Sequence, residues 1–146
     1  MGHLSEIAIN LNKAFNAGDT ERLRELISPD VVAHLAGTSS DAEHPPGTPR
    51  DREGLLGVWQ LTRAFFPDLH STLEEIVETG GVVATRSVVR GTHTLDFMGM
   101  PPTGKTFEMM TMNMNRVQDG IIVEHWALSD NVTMLAQLGV KFTSTS

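Results

Sequence analysis

Residues 121–139 read IIVEHWALSDNVTMLAQLG, and the fold prediction for the end of the chain rests on this stretch. Asp119 and Gly120 precede it, a pair that tolerates the positive φ angles of a tight hairpin turn, so a strand is predicted from Ile121 onward. Side chains alternate between the two faces of a regular strand. With regular alternation, one face carries Ile122, Trp126, Leu128 and Asp130. We expect this face to be the interior, because it carries the tryptophan.

Asp130 at the end of this apolar row has two interpretations. Loss of water around the carboxyl group would raise its pKa above the ordinary value of about 3.9 and make Asp130 a candidate catalytic base. Alternatively, Asp130 is the N-cap of a short helix, since apolar residues with helical spacing follow it and Gly139 is a natural helix terminator. The residues alone leave both interpretations open.

Length and composition narrow the function classes. A chain of 146 residues predicts one domain over 1–146, which buries roughly 70% of its unfolded surface and has room for an internal pocket. A formal charge of -7 without a basic patch argues against a nucleic-acid partner. No apolar run approaches the roughly 20 residues of a membrane span. The absence of cysteine excludes disulfides, thiolate metal sites and a cysteine nucleophile, and fits a cytoplasmic protein.

Apolar periodicity predicts the elements of the first half of the chain. Steps of three and four predict a helix that ends at Gly18, followed by a second helix that Asp19 caps. A short strand is predicted over 31–36, and an aperiodic loop over 37–47 is a candidate lid. Thr48 is expected to cap a third helix, which ends before Pro67.

The second half predicts a sheet. Four antiparallel strands are expected over 70–79, 82–94, 105–117 and from residue 121. Two helices, a strand, a helix and four strands indicate an α+β domain, in which the sheet curls around the third helix and encloses a mostly apolar pocket.

Six short motifs in this order resemble those of a known family. They are FFPDL at 65–69, RGTH at 90–93, FMGMPPTG at 97–104, DG at 119–120, EHW at 124–126 and LAQLG at 135–139. The chain from about residue 14 to 139 is similar to the SnoaL-like polyketide cyclases, which belong to the nuclear-transport-factor-2-like superfamily. The resemblance implies a cone-shaped α+β barrel with a curved, mainly antiparallel sheet.

The resemblance also implies a reaction. In these cyclases an aspartate near the end of the last strand acts as general acid and base, and Asp130 matches that position. The implied activity is a cofactor-independent aldol closure within a small, hydrophobic, polycyclic carbonyl substrate. The chain departs from the family at Thr111 and Asn113, where the cyclases carry polar partners that include a histidine. The alternatives are a non-catalytic small-molecule-binding protein and another isomerase or hydroxylase-type member of the superfamily.

Seven residues besides Asp130 are expected to line the pocket: His34, Trp59, His93, Thr111, Asn113, Trp126 and Leu128. His34 and His93 could each donate a hydrogen bond to a substrate oxygen, or each could be a satisfied, half-buried side chain. His125 has the opposite parity from Trp126 and is expected to face away from the pocket. No histidines have the spacing or carboxylate context of a metal site, so no metal is expected.

Methionines alternate along the third strand of the sheet. Met110, Met112 and Met114 fall on one face, while Thr111 and Asn113 fall on the other. If the polar residues line the pocket, the methionines form an apolar patch on the outer sheet surface. We expect a homodimer through this patch, the alternative being that a helix covers it.

Overall fold

The computed structural model describes residues 3–36, 45 and 47–142. Its elements follow the predicted order and end with a short helix after the last strand. They are α1 (His3–Ala17), α2 (Thr20–Leu26), β1 (Ile27–Ala36), α3 (Arg52–Phe65), β2 (His70–Thr79), β3 (Val82–Thr92), β4 (Thr106–Gln118), β5 (Ile121–Ser129) and α4 (Asn131–Gln137). No helix in these ranges is both long enough and apolar enough to cross a bilayer.

The five strands form one sheet in the order β1-β5-β4-β3-β2. The β2–β3, β3–β4 and β4–β5 pairs are antiparallel, and β1 lies parallel to β5. The predicted α+β class with a curved, mainly antiparallel sheet is therefore confirmed, and the sheet is open, with β1 and β2 at its two edges.

The start of α3 differs from the prediction. Asp51, and not Thr48, is the N-cap, and its carboxylate accepts a hydrogen bond from the Gly54 N–H at 2.8 Å. The chain before this cap is held extended, because Arg50 exchanges two backbone hydrogen bonds with Ala33 of β1, at 2.8 and 2.9 Å. A helix cannot begin until this pairing ends. The predicted lid over 37–47 lies outside the described residues, apart from residues 45 and 47.

Two apolar clusters fill the space between the helices and the sheet. The first contains Ile7, Leu23, Ile27, Leu55, Leu56 and Ile122, and the second contains Phe66, Leu69, Val89, Phe107, Met134 and Leu138. Gly91 lets the second cluster close, because a Cβ at this position would lie 2.7 Å from Cε1 of Phe107. Members of both clusters line one interior cavity.

A β-bulge interrupts the pairing of β4 with β5. Val117 pairs with Ile122 and Arg116 pairs with Glu124, so Val123 is the extra residue. A bulge reverses the facing of every side chain beyond it. Ile122 and His125 therefore both face inward, each with 1% of its surface exposed.

The bulge corrects three predicted orientations on β5. Regular alternation placed Trp126 and Leu128 inside and His125 outside, whereas the structure has the reverse arrangement. Trp126 and Leu128 lie on the outer face, where Leu128 is 59% exposed.

Candidate functional site

An interior cavity of about 450 Å³ lies between the concave face of the sheet and the helices α1 and α3. The sheet forms a wall that is rich in hydroxyl and amide groups: Thr85, Ser87, Thr111, Asn113, Asn115 and Ser129. The helices form an opposite wall that is mainly apolar: Leu11, Phe15, Val58, Trp59, Leu61 and Phe65. A ligand in this cavity therefore meets hydrogen-bonding groups on one side and hydrocarbon on the other.

Strand register arranges the polar wall in rows across the sheet. Ser87, Thr111 and Ser129 form one row, and Thr85, Asn113 and Ala127 form the next. Directly opposed side chains in such rows are about 4.5–5.5 Å apart at Cβ, close enough to bind one small molecule together. Thr111, Asn113 and Trp59 thus lie on the cavity wall, where the sequence placed them.

His125 and Asn115 form the third row of the polar wall. Both side chains are buried, and Nδ1 of His125 lies 2.6 Å from Oδ1 of Asn115. An amide oxygen only accepts hydrogen bonds, so in this arrangement Nδ1 carries the proton and donates it to Asn115. The other ring nitrogen, Nε2, is buried and has no hydrogen-bond partner among the described residues.

The surroundings of His125 keep its imidazole uncharged. Trp59 packs against the ring edge-to-face, with the ring centroids 5.6 Å apart. Burial, and to a smaller extent the charge of the nearby His34, lowers the pKa of His125 from 6.5 to about 4. A neutral imidazole therefore lies in the cavity wall, with its Nε2 buried away from the cavity surface. Sequence reasoning missed it because the bulge at Val123 was not anticipated.

Asp130 is an exposed helix cap. Its carboxylate accepts hydrogen bonds from the backbone N–H of Thr133 at 3.1 Å and from the Thr133 hydroxyl at 2.6 Å. These two hydrogen bonds, the hydroxyl one first, hold the pKa of Asp130 below its ordinary value. The predicted burial and raised pKa of Asp130 are wrong, and the N-cap interpretation is confirmed. The physical reason is that β5 ends at Ser129, so the Asp130 side chain turns toward the first turn of α4.

His34 lies on the outer face of the sheet and not in the cavity. Its Nε2 lies 3.0 Å from a carboxylate oxygen of Glu124, and its ring stacks on Trp126 with the centroids 5.3 Å apart. Arg116 lies over the Trp126 ring and also reaches Glu124. The hydrogen bonds from His34 and then from Arg116 lower the pKa of Glu124. His34, Trp126 and Leu128 therefore do not line the interior cavity, contrary to the prediction.

His93 is fully buried, as the inward prediction requires, but it is not among the residues that line the cavity. Its Nδ1 accepts a hydrogen bond from the backbone N–H of Thr103 at 3.3 Å and lies 2.9 Å from the Thr103 hydroxyl. This contact anchors the loop between β3 and β4. Phe97 and Met98 of the same loop do line the cavity, so His93 supports the cavity wall indirectly.

The residues that the structure describes include no group of three or more histidine, aspartate or glutamate side chains that could hold a metal ion.

Comparisons with known proteins agree with this architecture. A model of the SnoaL-like polyketide cyclase family matches residues 6–138. The chain is 35% identical over 129 residues to nogalonic acid methyl ester cyclase of Streptomyces nogalater, which spans 86% of this chain and 90% of that protein. It is 30% identical over 128 residues to aklanonic acid methyl ester cyclase DnrD of Streptomyces peucetius, over 87% of this chain and 84% of the relative.

A solved structure is also similar. The crystal structure of IdmH from Streptomyces antibioticus superposes with a TM-score of 0.88 at 68% sequence identity, covering 93% of this chain and 98% of that chain. These similarities confirm the predicted family and fold class.

The buried state of His125 predicts a specific dependence of stability on pH. The unfolded chain protonates His125 near pH 6.5, whereas the folded chain protonates it only near pH 4. The free energy of unfolding is therefore greatest above pH 6.5, and it decreases as the pH falls toward 4. At about 1.4 kcal/mol per pH unit, the loss amounts to roughly 3 kcal/mol. Urea unfolding of the wild type and of His125→Gln between pH 7 and pH 4 measures it. The wild type should lose more unfolding free energy than the variant; parallel curves would show that His125 is not a buried neutral group.

Proposed function

Because this chain belongs to the SnoaL-like polyketide cyclase family, we propose that it closes a ring in a polyketide-like carbonyl compound bound in the interior cavity. The two unlike walls of the cavity are the observation that carries this proposal. A polycyclic carbonyl compound has flat hydrocarbon faces and oxygen atoms at its edges. The faces match the apolar side chains of α1 and α3, and the oxygens match the hydroxyl and amide groups of β3, β4 and β5.

The proposed reaction is an intramolecular aldol closure. A base removes a proton from a carbon next to one carbonyl group, and the resulting enolate carbon attacks the carbon of a second carbonyl group. The new carbon–carbon bond leaves an alkoxide, which takes up the proton. Substrate and product are isomers, so the atoms balance without a redox partner or cofactor.

Holding the two reacting ends in one cavity contributes to the rate. A bound conformation with the reacting carbons near van der Waals contact replaces a rare encounter in solution. General acid–base assistance typically adds a factor of about 10² to 10⁴ to the rate.

We place this reaction in the cytoplasm, since a chain without cysteine needs no oxidising compartment.

The activity test uses the substrates after which the relatives are named. Nogalonic and aklanonic acid methyl esters are incubated with the purified protein, and the products are separated by liquid chromatography with mass detection. We expect a new compound of unchanged mass. Ala127→Phe places a large side chain in the cavity, so the substrate can no longer bind with its two reacting ends close together. Turnover should fall at least tenfold. Val32→Phe, at a 41% exposed position on β1, is the matched control.

The rival function is ligand binding without catalysis. Asn113 favours it, because the polar position on β4 holds an amide where the family resemblance expects a histidine. Saturable binding of both esters, measured by tryptophan fluorescence, with no isomeric product would support the binding protein and contradict the cyclase.

Asp130 keeps the position of the family's acid–base residue, and its catalytic role stays a prediction. Asp130→Asn tests this role cleanly, because asparagine also caps helices and its side-chain oxygen can accept the Thr133 N–H. The thermal unfolding midpoint should therefore stay close to that of the wild type. Turnover reduced by about 10²- to 10⁴-fold would make Asp130 the base; wild-type turnover would leave Asp130 as a helix cap alone.

We also propose that a second copy of the chain covers the outer sheet face. Met110, Met112, Met114 and Leu128 are exposed there by 38–59%. Charged pairs of both signs border this patch, Arg86 with Glu75 and Arg90 with Glu108. A two-fold axis through the methionine row brings each patch onto an identical patch, and a border with both signs can pair with its own copy.

The dimer proposal predicts a concentration-dependent mass. Sedimentation equilibrium should give the mass of two chains for the wild type and of one chain for Met112→Glu, because a carboxylate in an apolar interface loses its hydration without a partner. Val132→Glu, at a 63% exposed position on α4, is the control and should remain a dimer. A monomeric wild type would refute the proposal.

A further inference from the structure

We propose that the hydroxyl groups of Ser87, Thr111 and Ser129 bind the substrate oxygens on which negative charge develops during ring closure. This inference rests on the proposed cyclase function and deepens it, because it names the part of the cavity that holds the reacting carbonyl groups. The three residues form a hydroxyl row that donates hydrogen bonds and transfers no proton. Proton transfer stays with the acid–base residue, whose position in the family Asp130 keeps.

The hydroxyl row crosses three neighbouring strands of the sheet. Ser87 of β3 lies opposite Thr111 of β4, and Thr111 lies opposite Ser129 of β5. All three residues line the cavity. Opposed side chains are about 4.5–5.5 Å apart at Cβ, so an oxygen atom between two neighbouring hydroxyls can lie about 2.7–2.8 Å from each of them. The row therefore offers two such positions, one on each side of Thr111.

The hydroxyls of this row are not used by the fold. No hydrogen bond within the described part of the chain involves any of them. Ser87 and Thr111 are nevertheless buried, with 3% and 7% of their surface exposed. Among the described residues, the buried side-chain atoms that have neither a partner nor open surface are Nε2 of His93 and Nε2 of His125, and no hydroxyl of the row is among them. The three O–H groups therefore open into the cavity and can donate to a bound molecule.

The other rows of the polar wall lack this property. In the row of Asn115 and His125, the two side chains bind each other at 2.6 Å. In the row of Thr85, Asn113 and Ala127, the β5 position has no polar side chain. Of these rows, the hydroxyl row is the one with an unused donor on all three strands.

The cavity wall has no charged side chain that could neutralise an oxyanion. No aspartate, glutamate, lysine or arginine is among the described residues that line it, and the histidine among them, His125, is uncharged. Negative charge on a substrate oxygen therefore has to be stabilised by neutral donors. In a cavity of low dielectric constant such donors are more effective than in water, because they are already oriented toward the charge.

The hydroxyl row lies at the end of the wall where the family places its acid–base residue. Ser129 directly precedes Asp130, and the Asp130 N–H donates a hydrogen bond to the Met110 carbonyl at 3.1 Å. The pairing of β4 with β5 thus extends one residue past the row. A carbonyl oxygen bound by Thr111 and Ser129 keeps its neighbouring carbon at this end of the cavity, next to the predicted base.

The hydroxyls act at two stages of the reaction. When the base removes a proton from the carbon next to one carbonyl group, the C–H electron pair moves into the enolate, and the enolate oxygen accepts hydrogen bonds from Thr111 and Ser129. The enolate carbon then bonds to the second carbonyl carbon, whose oxygen becomes an alkoxide at the Ser87 end of the row. Each hydroxyl has one proton to donate, so Thr111 turns from the enolate oxygen to the alkoxide as the charge moves. The base then returns its proton to the alkoxide.

Thr111→Val tests the row, because valine has the shape of threonine without the hydroxyl and is a good strand former. We expect kcat in the cyclisation assay to fall about 10²- to 10³-fold, the loss typical of one missing oxyanion donor. KM should change little, because the lost hydrogen bond forms mainly with the charged intermediate. Thr111→Ser keeps the hydroxyl and should keep most of the activity, which excludes a loss through packing.

Thr106→Val is the matched control, at an exposed position on the same strand, and should have wild-type kcat. Wild-type kcat in Thr111→Val would overturn the proposal. Ser87→Ala and Ser129→Ala each remove one donor and should each lower kcat. Wild-type kcat in both serine variants would also overturn the row, because Thr111 would then act alone.

A second test measures charge stabilisation without turnover. The probe is 2-hydroxyanthraquinone, a flat phenol whose absorption spectrum changes on ionisation and whose phenolate imitates the enolate. The wild type should bind the phenolate about tenfold more tightly than Thr111→Val does, while both bind the neutral phenol with similar affinity. Equal phenolate affinities would overturn the hydroxyl row. A wild type that binds the phenolate as expected but converts no ester would instead contradict the cyclase function, so the two failures are distinguishable.

Discussion

The bulge at Val123 is the constraint on which the site depends. Without it, alternation along β5 would place Glu124 on the same face as Ile122, inside the apolar core. A carboxylate buried there without a partner costs several kcal/mol. The extra residue instead turns Glu124 outward, where His34 and Arg116 bind it, and turns His125 inward. One irregular residue thus removes a charge from the interior and supplies the cavity with an imidazole.

The strand register aligns the inward side chains of β5 with those of β4 and β3, and together they form the polar wall of the cavity. Beyond the bulge, the inward positions of β5 align with those of β4 and β3, so that hydroxyl, amide and imidazole groups lie in consecutive rows. The helices contribute few polar groups to the cavity because the residues on their inward faces are mainly apolar and pack in the core. Leu55 and Leu56 of α3, for example, are fully buried. The division into a polar and an apolar wall therefore follows from the α+β architecture itself.

Much of the fold was predictable from local rules. Periodicity located the helices, and the Asp119–Gly120 turn has the predicted positive φ angles of 52° and 77°. Parity on β4 correctly placed Thr111 and Asn113 inside and the alternating methionines outside. The predicted alternation on β5 was wrong because residues 121–123 are all apolar, so each of them could face either the core or the outer side of the sheet. Glu124 could have indicated the bulge, because regular alternation places it on the core face with Ile122. A charged residue predicted on the core face indicates either a buried partner or a bulge.

Asp130 and His125 lie at different ends of the polar wall: Asp130 follows the Ser129 row, and His125 belongs to the row with Asn115. Ser129, the last residue of β5, follows His125 by four residues, and at about 3.3 Å per strand residue the two lie roughly 13 Å apart. Proton transfer requires hydrogen-bond reach, so one reacting carbon cannot serve both groups. His125 lies among the buried rows of the cavity wall, whereas Asp130 lies at the exposed end of the strand and is occupied by Thr133. Ser129 and Asn131, on either side of Asp130, line the same cavity as His125, so the cavity extends along the whole polar wall.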